Sequence, residues 1–381
     1  MTYRTSARLA DDREIIYFDE TPDAVRVLDD PRDLPKVEST STARYDRLTG
    51  EWVGIAGHRQ TRIYHPPADQ CPLCPSTPGN ASEIPSAGYD VVVFENRFPS
   101  FAGAGAAAEP AGLFTTVPGN GRCEVVCFTS DHHQSFSHLS PARVGTVIDA
   151  WIDRTAHLSA QEGVEQVFCF ENRGKEIGVT LAHPHGQIYG YPFVTPHTAA
   201  MLRQVGEYRE ANGRNLFGDL IDAELADGSR IVAHNEHWVA FVPFAGRWPI
   251  EVQLFPRERV ADLTELGEDQ KRALPPIYLE VLRRMEGVFD DSLPAISAWH
   301  QAPVHQGRED FWLHLQIFTI RREVGKLKYL AGSESAMGAF VNDIPPEVAA
   351  QRLRDVQVAA IAPAPRSGNS PLSGNSPLSG H

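Results

Sequence analysis

Four short segments of this chain recur, in the same order, in its two halves. Val91–Phe94 is answered by Trp238–Phe241, and each is followed by an Arg-aromatic-Pro element, Arg97-Phe98-Pro99 and Arg247-Trp248-Pro249. EVVCF at 124–128 is answered by EVQLF at 251–255, and HGQI at 185–188 by HLQI at 314–317. A helical period over 141–158 (Val144, Val147, Ile148, Trp151, Ile152, Leu158) is answered by a Leu-rich one over roughly 267–288. The spacings nearly agree: Glu124 to His185 is 61 residues and Glu251 to His314 is 63. Four ordered matches are hard to obtain by chance, so the pattern predicts a duplicated unit. Hairpin-spaced strands with few helices predict an α+β fold, with antiparallel sheets and helices packed on one face.

Composition narrows the partners. The chain has 381 residues and a net charge of −14, from 35 Lys+Arg against 49 Asp+Glu. At about 150 residues per domain this length suggests two or three units. The acidic balance argues against nucleic acid or an anionic membrane as the main partner, because both attract basic faces. Small phosphorylated substrates need only a local positive pocket. There is no 18-residue apolar run for a transmembrane helix, and the N-terminus lacks the apolar core of a secretory signal. Five Cys in so long a chain read as reduced, cytoplasmic thiols rather than a disulfide scaffold. The Ser/Gly/Asn/Pro repeat of 366–381 is expected to be disordered.

The densest chemistry is His183-Pro184-His185-Gly186-Gln187-Ile188. If this stretch is extended, His183, His185 and Gln187 share a face, because side chains alternate with period two. Three polar groups on one strand face are expensive to bury without a task. Cys71-Pro72-Leu73-Cys74, in a Pro-rich loop, can place two thiolates about one metal ion; two further ligands would come from His132 or His133 and from His183 or His185. The loop composition does not support a thioredoxin-like pair, which opens a helix after a strand. Cys123, Cys127 and Cys169 read as core thiols. Between Phe170 and Thr180, two Gly, an amide, a Lys and a Thr suit a phosphate. Arg59 and Arg62 are either a solvated basic turn or guanidinium forks for a diphosphate. Asn96 and Arg97 close a strand, and Lys328-Tyr329 with Ser333-Glu334 combines groups that would suit a sugar phosphate.

HPHGQI, preceded by FENRG and by an upstream CPLC and TSDH, resembles the galactose-1-phosphate uridylyltransferases of the histidine-triad superfamily. The resemblance runs from HRQTR near 58 to RLRDV at 352–356. It implies two histidine-triad-like units, 1–195 with the metal loop and nucleophile and 196–362, followed by the tail 363–381. It implies ping-pong transfer of UMP from UDP-glucose to galactose-1-phosphate through a uridylyl-histidine. His185 would be the nucleophile and Gln187 a donor to a phosphate oxygen. Gly178, Val179 and Thr180 would line the phosphate, and Asn172, Asn96 and Arg97 would hold the nucleotide. Arg59 and Arg62 would reach a phosphate across a homodimer with shared active sites. Lys328, Tyr329, Ser333 and Glu334 would meet the hexose phosphate. A structural zinc would be held by Cys71, Cys74, His132 and His183. Some members add a second metal, iron, on a Glu and three His. Here His300 and His314 match two of those positions while Gln316 and Met201 stand at the others, so that metal is not expected. The competing readings are a superfamily hydrolase or phosphorylase acting on ADP-sugars or dinucleotides, a transferase for another hexose-1-phosphate, and a zinc-stabilised binding module without activity.

Overall fold

The computed structural model describes residues 2–36, 41–61, 66–103, 112–289 and 293–362. The expected tail at 363–381, and Arg62, lie outside the described residues.

The strands of both halves join in one 11-stranded sheet in which every neighbouring pair is antiparallel. Its order is Tyr3–Arg8, Glu14–Asp19, Val91–Glu95, Arg122–Cys127, His185–Tyr191, Gln166–Arg173, then Ala295–His300, His314–Thr319, Ile250–Pro256, Trp238–Phe241 and Ile231–His234. Read outward from the seam between Gln166–Arg173 and Ala295–His300, the two halves run through corresponding strands. One row crosses that seam: Gln187 pairs with Phe170, Phe170 with Ala298, and Ala298 with Gln316. On the outer sides Val125 lies opposite Gln187 and Phe94 opposite Val125, while Gln253 lies opposite Gln316 and Phe241 opposite Gln253. The matches of Phe94 with Phe241, and of HGQI with HLQI, are therefore matches of sheet position.

The third match slips by one residue. Val125 corresponds to Gln253, so Glu124 and Glu251 are not counterparts. A one-residue slip turns a side chain to the other face of a sheet. Glu124 accordingly accepts two bonds from Arg154 of the helix Pro141–Ser159, at 2.9 and 2.7 Å. Glu251 faces the other way and accepts from the Gln316 amide at 2.7 Å.

One core serves both halves. The helices Pro141–Ser159 and Glu268–Gly287 cover a single sheet face, burying Val144, Val147, Ile148 and Trp151 from the first and Leu274, Ile277, Tyr278 and Leu282 from the second. The first helix starts where Ser140 predicts, its hydroxyl accepting from the Arg143 amide at 3.1 Å with Pro141 at the first position. The opposite sheet face carries two separate apolar clusters. Leu9, Ile15, Tyr17, Leu73, Ile84, Tyr89, Phe94 and Val125 pack under the Cys71–Cys74 loop in the first half. Val205, Phe217, Ile221, Phe241, Phe255 and Phe311 pack together in the second. There the cover comes from the helices Pro196–Asn212 and Leu216–Asp227, which the sequence pattern had not suggested. Among the described residues no helix is long and apolar enough to cross a membrane.

Candidate active site and metal centre

The strand His185–Tyr191 alternates between half-buried and buried side chains along its length, as period two requires. His185, Gln187 and Tyr189 fall on the face away from the helices. Gly186 falls on the other, and its lack of a side chain is needed there. A Cβ at that position would lie 2.8 Å from the Phe128 ring and 2.8 Å from the Phe170 carbonyl.

His185 Nδ1 lies 2.8 Å from the carbonyl oxygen of His183. A carbonyl only accepts, so the proton sits on Nδ1 and Nε2 keeps its lone pair. Burial lowers the basicity of His185 below the usual histidine value, which keeps it neutral near pH 7. Gln187 is oriented by Tyr189, whose hydroxyl donates to Oε1 at 3.0 Å, leaving the amide NH2 as a donor.

Two cavities meet at His185. One is lined by Arg59, Asn96, Arg97, Thr180 and Gln187, with Leu73, Phe94 and Phe98 as its apolar wall. The other is lined by Asn172, Lys175, Val179 and Leu181. Gly178 caps the short turn Lys175–Ile177 between them in a left-handed conformation (φ 82°) that favours glycine. Arg59 lines the His185 cavity of its own chain, hydrogen-bonded to Ser100 and 3.5 Å from the Tyr189 hydroxyl.

Lys328, Tyr329, Ser333 and Glu334 do not line either cavity. They sit on the second half, in a segment pinned by Asn342 to the carbonyls of Gly246 and Trp248 at 3.1 and 2.8 Å. Lys328 is buried against Glu334 Oε1 at 3.2 Å and the Val341 carbonyl, Ser333 donates to the Ala339 carbonyl at 2.7 Å, and Tyr329 is exposed.

The Cys71, Cys74, His132 and His183 ligand atoms all lie within 4.8 Å of one another and form a group that could hold a metal ion. Cys74 Sγ is 3.3 Å from His132 Nδ1 and 3.5 Å from His183 Nδ1. His183 Nε2 lies 2.8 Å from both the Thr129 carbonyl and the Tyr89 hydroxyl, which leaves Nδ1 for a metal. Tyr89 also donates to the Leu73 carbonyl at 3.0 Å, so one phenol ties the loop to the histidine. Tyr89 and Thr129 carry no sequence signal, since neither is a ligand type in a motif. Burial lowers His183 to about 4, keeping it neutral, and burial with Cys71 beside it pushes the Cys74 thiol up to about 12. Without a cation the site is short of positive charge for two thiolates. This donor set of two Cys and two neutral His fits a tetrahedral dication. A metal there would also anchor the chain two residues before His185.

The second half repeats the histidine geometry without the space. His314 Nδ1 lies 2.9 Å from the Trp312 carbonyl, as His185 does from His183. Its ring is stacked between Phe255 at 4.7 Å and His300 at 4.6 Å. Gln316 spans from His300 Nε2 at 3.1 Å to Glu251, so its amide is engaged on both ends. Met201 packs on the apolar cluster beside it. His197 completes the surroundings of the pair, its ring 5.4 Å from that of His300, while a thioether and an amide are poor ligands for the metals that imidazole and carboxylate suit.

Both halves match sequence profiles of one family. Residues 32–195 match "Galactose-1-phosphate uridyl transferase, N-terminal domain", and residues 201–362 match the corresponding C-terminal domain. The chain belongs to the galactose-1-phosphate uridylyltransferase family. A galactose-1-phosphate uridylyltransferase of Streptomyces lividans is 48% identical over 370 residues, covering 93% of this chain and 98% of its own length. One from Thermotoga maritima is 33% identical over 321 residues, covering 83% and 98%. A solved uridylyltransferase structure superposes with a TM-score of 0.74 at 31% identity, covering 82% of this chain and 97% of its own. An ADP-glucose phosphorylase from Arabidopsis thaliana with bound ADP-glucose shares the fold at 20% identity and a TM-score of 0.63.

Proposed function

We propose that this chain transfers UMP from UDP-glucose to galactose-1-phosphate in two displacements at His185. The observation that carries the reading is the Nδ1 bond to the His183 carbonyl, which leaves Nε2 unprotonated inside a cavity lined by arginine and amide groups. Nε2 attacks the α-phosphorus; the bond to the bridging oxygen breaks and glucose-1-phosphate leaves. A phosphate oxygen of galactose-1-phosphate then attacks the same phosphorus, the P–N bond breaks and UDP-galactose leaves. An imidazole is both a neutral nucleophile and a good leaving group, so one nitrogen serves both steps. The Gln187 NH2 donates to a non-bridging oxygen as charge gathers there. Thr180, Val179 and the Gly178 backbone line the phosphates, Asn172 stands in the adjoining cavity, and Asn96 and Arg97 hold the nucleotide.

Zinc is the reading for the four-ligand group: two thiolates with two imidazoles suit it, and its role is to tie the loop to the HPH strand. The location of Lys328, Tyr329, Ser333 and Glu334 away from their own chain's cavity supports a homodimer in which they complete the partner's hexose site. Five free cysteines support a reducing, cytoplasmic setting. We read 1–195 and 196–362 as the two units, and the His300–His314 pocket as metal-free.

The test is incubation with UDP-glucose alone, denaturing quench and digestion. An acid-labile UMP adduct on His185 is expected. Its absence, or wild-type turnover by His185→Gly, sinks the mechanism. A panel of galactose-1-phosphate, other hexose-1-phosphates and inorganic phosphate as acceptors, with UDP-glucose and ADP-glucose as donors, separates the transferase from the phosphorylase reading.

A further inference from the structure

Glu83 is a carboxylate in a cavity meant for an anion. It lines the same cavity as His185, yet it comes from the loop that carries the two cysteines, its amide donating to the Pro72 carbonyl at 3.0 Å. Three arginines surround it. Arg13 Nη2 donates to Oε2 at 2.5 Å, Arg32 Nη1 lies 3.1 Å from Oε1, and Arg97 Nη1 lies 3.9 Å from Oε1. Arg13 and Arg32 have further carboxylates of their own, Asp11 at 2.7 Å and Asp30 at 2.8 Å. Facing three guanidinium groups, the Glu83 carboxylate acts as a hydrogen-bond acceptor. Its side chain is 11% exposed, so the carboxylate is not sealed by its arginines.

Its place along the cavity says which part of a ligand it meets. The floor runs from Gln187 across Val125 to Phe94 and on to Ile15, one strand at a time. Arg13, the partner of Glu83, immediately precedes the Ile15 strand. Its guanidinium reaches back to the end of the Val91–Glu95 strand, where Nη1 donates to the Glu95 carbonyl at 2.8 Å, so Glu83 lies about two strand spacings, roughly 10 Å, from the reacting end. Leu73, Phe94 and Phe98 supply a flat apolar wall in between. This far end receives the nucleoside when the α-phosphorus is at His185.

We propose that Glu83 accepts the ribose hydroxyls of the nucleotide donor and makes the site select ribonucleotides. The inference rests on the UDP-sugar reading above. A uridine offers donors in only two places, the vicinal ribose hydroxyls and the N3–H of the base. N3–H is flanked by two carbonyls, and a carboxylate brought to it in plane meets both of their oxygens with like partial charge. The diol offers two donors with no acceptor forced against the carboxylate. An ionised acceptor left without its donor is costly, so the site discriminates against a nucleotide lacking the hydroxyl.

The experiment compares kcat/KM for UDP-glucose and 2′-deoxy-UDP-glucose, with galactose-1-phosphate as acceptor, in the wild type, Glu83→Gln and Glu83→Ala. Zinc content and thermal unfolding are followed alongside. The wild type is expected to favour the ribonucleotide by roughly 10- to 100-fold. Glu83→Ala should bring that ratio to near one by slowing UDP-glucose turnover while sparing the deoxy analogue, and Glu83→Gln should lie between. Should the alanine variant fail to fold, the glutamine variant alone decides, because it keeps the side-chain volume and removes the charge. A ratio unchanged in the variants, with both substrates falling together, overturns the proposal and leaves Glu83 structural. Discrimination against N3-methyl-UDP-glucose that disappears in the variants, with no ribose effect, overturns it in favour of base recognition. Lack of any wild-type turnover of UDP-glucose is a different result: it defeats the transferase reading itself.

Discussion

His185 and His314 occupy matching positions in two halves of one sheet, and only one of them has room for a substrate. Both rings hold Nδ1 against the carbonyl two residues back, at 2.8 and 2.9 Å. Both are followed two residues later by a glutamine. The difference lies in what stands beside them. By register the neighbour of His185 across the strand pair is Cys127, a small buried thiol. Its counterpart in the second half is Phe255, whose ring stacks on His314. Asn172 in the first half corresponds to His300 in the second, which closes the other side of the His314 ring. Above the sheet, the loop that carries Cys71 and Cys74 spans the first half and leaves cavities. Packed helices cover the second and fill it with Val205 and Phe217, joined by Phe311 from the loop before His314–Thr319. The lesson is that a catalytic geometry survives duplication easily, because it is written into strand backbone. Access is lost through a few large side chains.

The largest expected difference between the halves is in turnover. His185→Gly should lose at least about a thousandfold in kcat, since the covalent route disappears. His314→Asn should keep kcat per folded enzyme within about threefold. Comparable losses in both would mean that the second histidine also takes part, and would break the comparison. Metal content is next. Elemental analysis should find close to one zinc per chain and no stoichiometric iron. Cys74→Ser should abolish the zinc and lower the unfolding temperature by roughly 5–10 °C. Iron at one per chain would mean that the His300–His314 pocket is a metal site after all.

Phe255→Cys gives the second half the residue of the first. It should cost about 3 kcal/mol of stability by opening a cavity, without creating a second nucleophile. Denaturant unfolding measures the first part, and a count of UMP adducts per chain the second. A gain of labelling at His314 would show that bulk alone silences it.

The smallest effect is that of pH. Burial lowers His300 to about 4 and takes His314 well below the usual histidine value. Both are therefore neutral when folded and free to bind protons near pH 6.5 when unfolded. The unfolded chain then binds more protons as pH falls, so the stability present above 6.5 is lost on the way down toward 4. Thermal unfolding between pH 7.5 and 5 should show a drop of roughly a few degrees that shrinks in His300→Gln. An unchanged drop in that variant would place the titration elsewhere.

Much of this was legible beforehand because it is local. The period-two spacing put His185 and Gln187 on one face, whereas His183 sits in the bend that precedes the strand. The Cys71–Cys74 pair, the histidine after strand Arg122–Cys127 and the HPH element contained all four clustered ligands. The order of the repeats was readable too, and the sheet keeps it. What the chain could not disclose by itself was register and cover. Nothing in EVVCF and EVQLF tells that one glutamate meets Arg154 beneath the sheet and the other Gln316 above it. That choice is made by which residue faces which across strands far apart in sequence, and a shift of one position reverses it. In the same way, Glu83 looks like any loop glutamate until three arginines and the His185 cavity gather around it. Lys328 through Glu334 look like part of the nearest site until the fold carries them to the other half. Side-chain alternation is a property of a few consecutive residues. The face a residue shows, and the space left in front of it, belong to contacts that only the folded chain brings together.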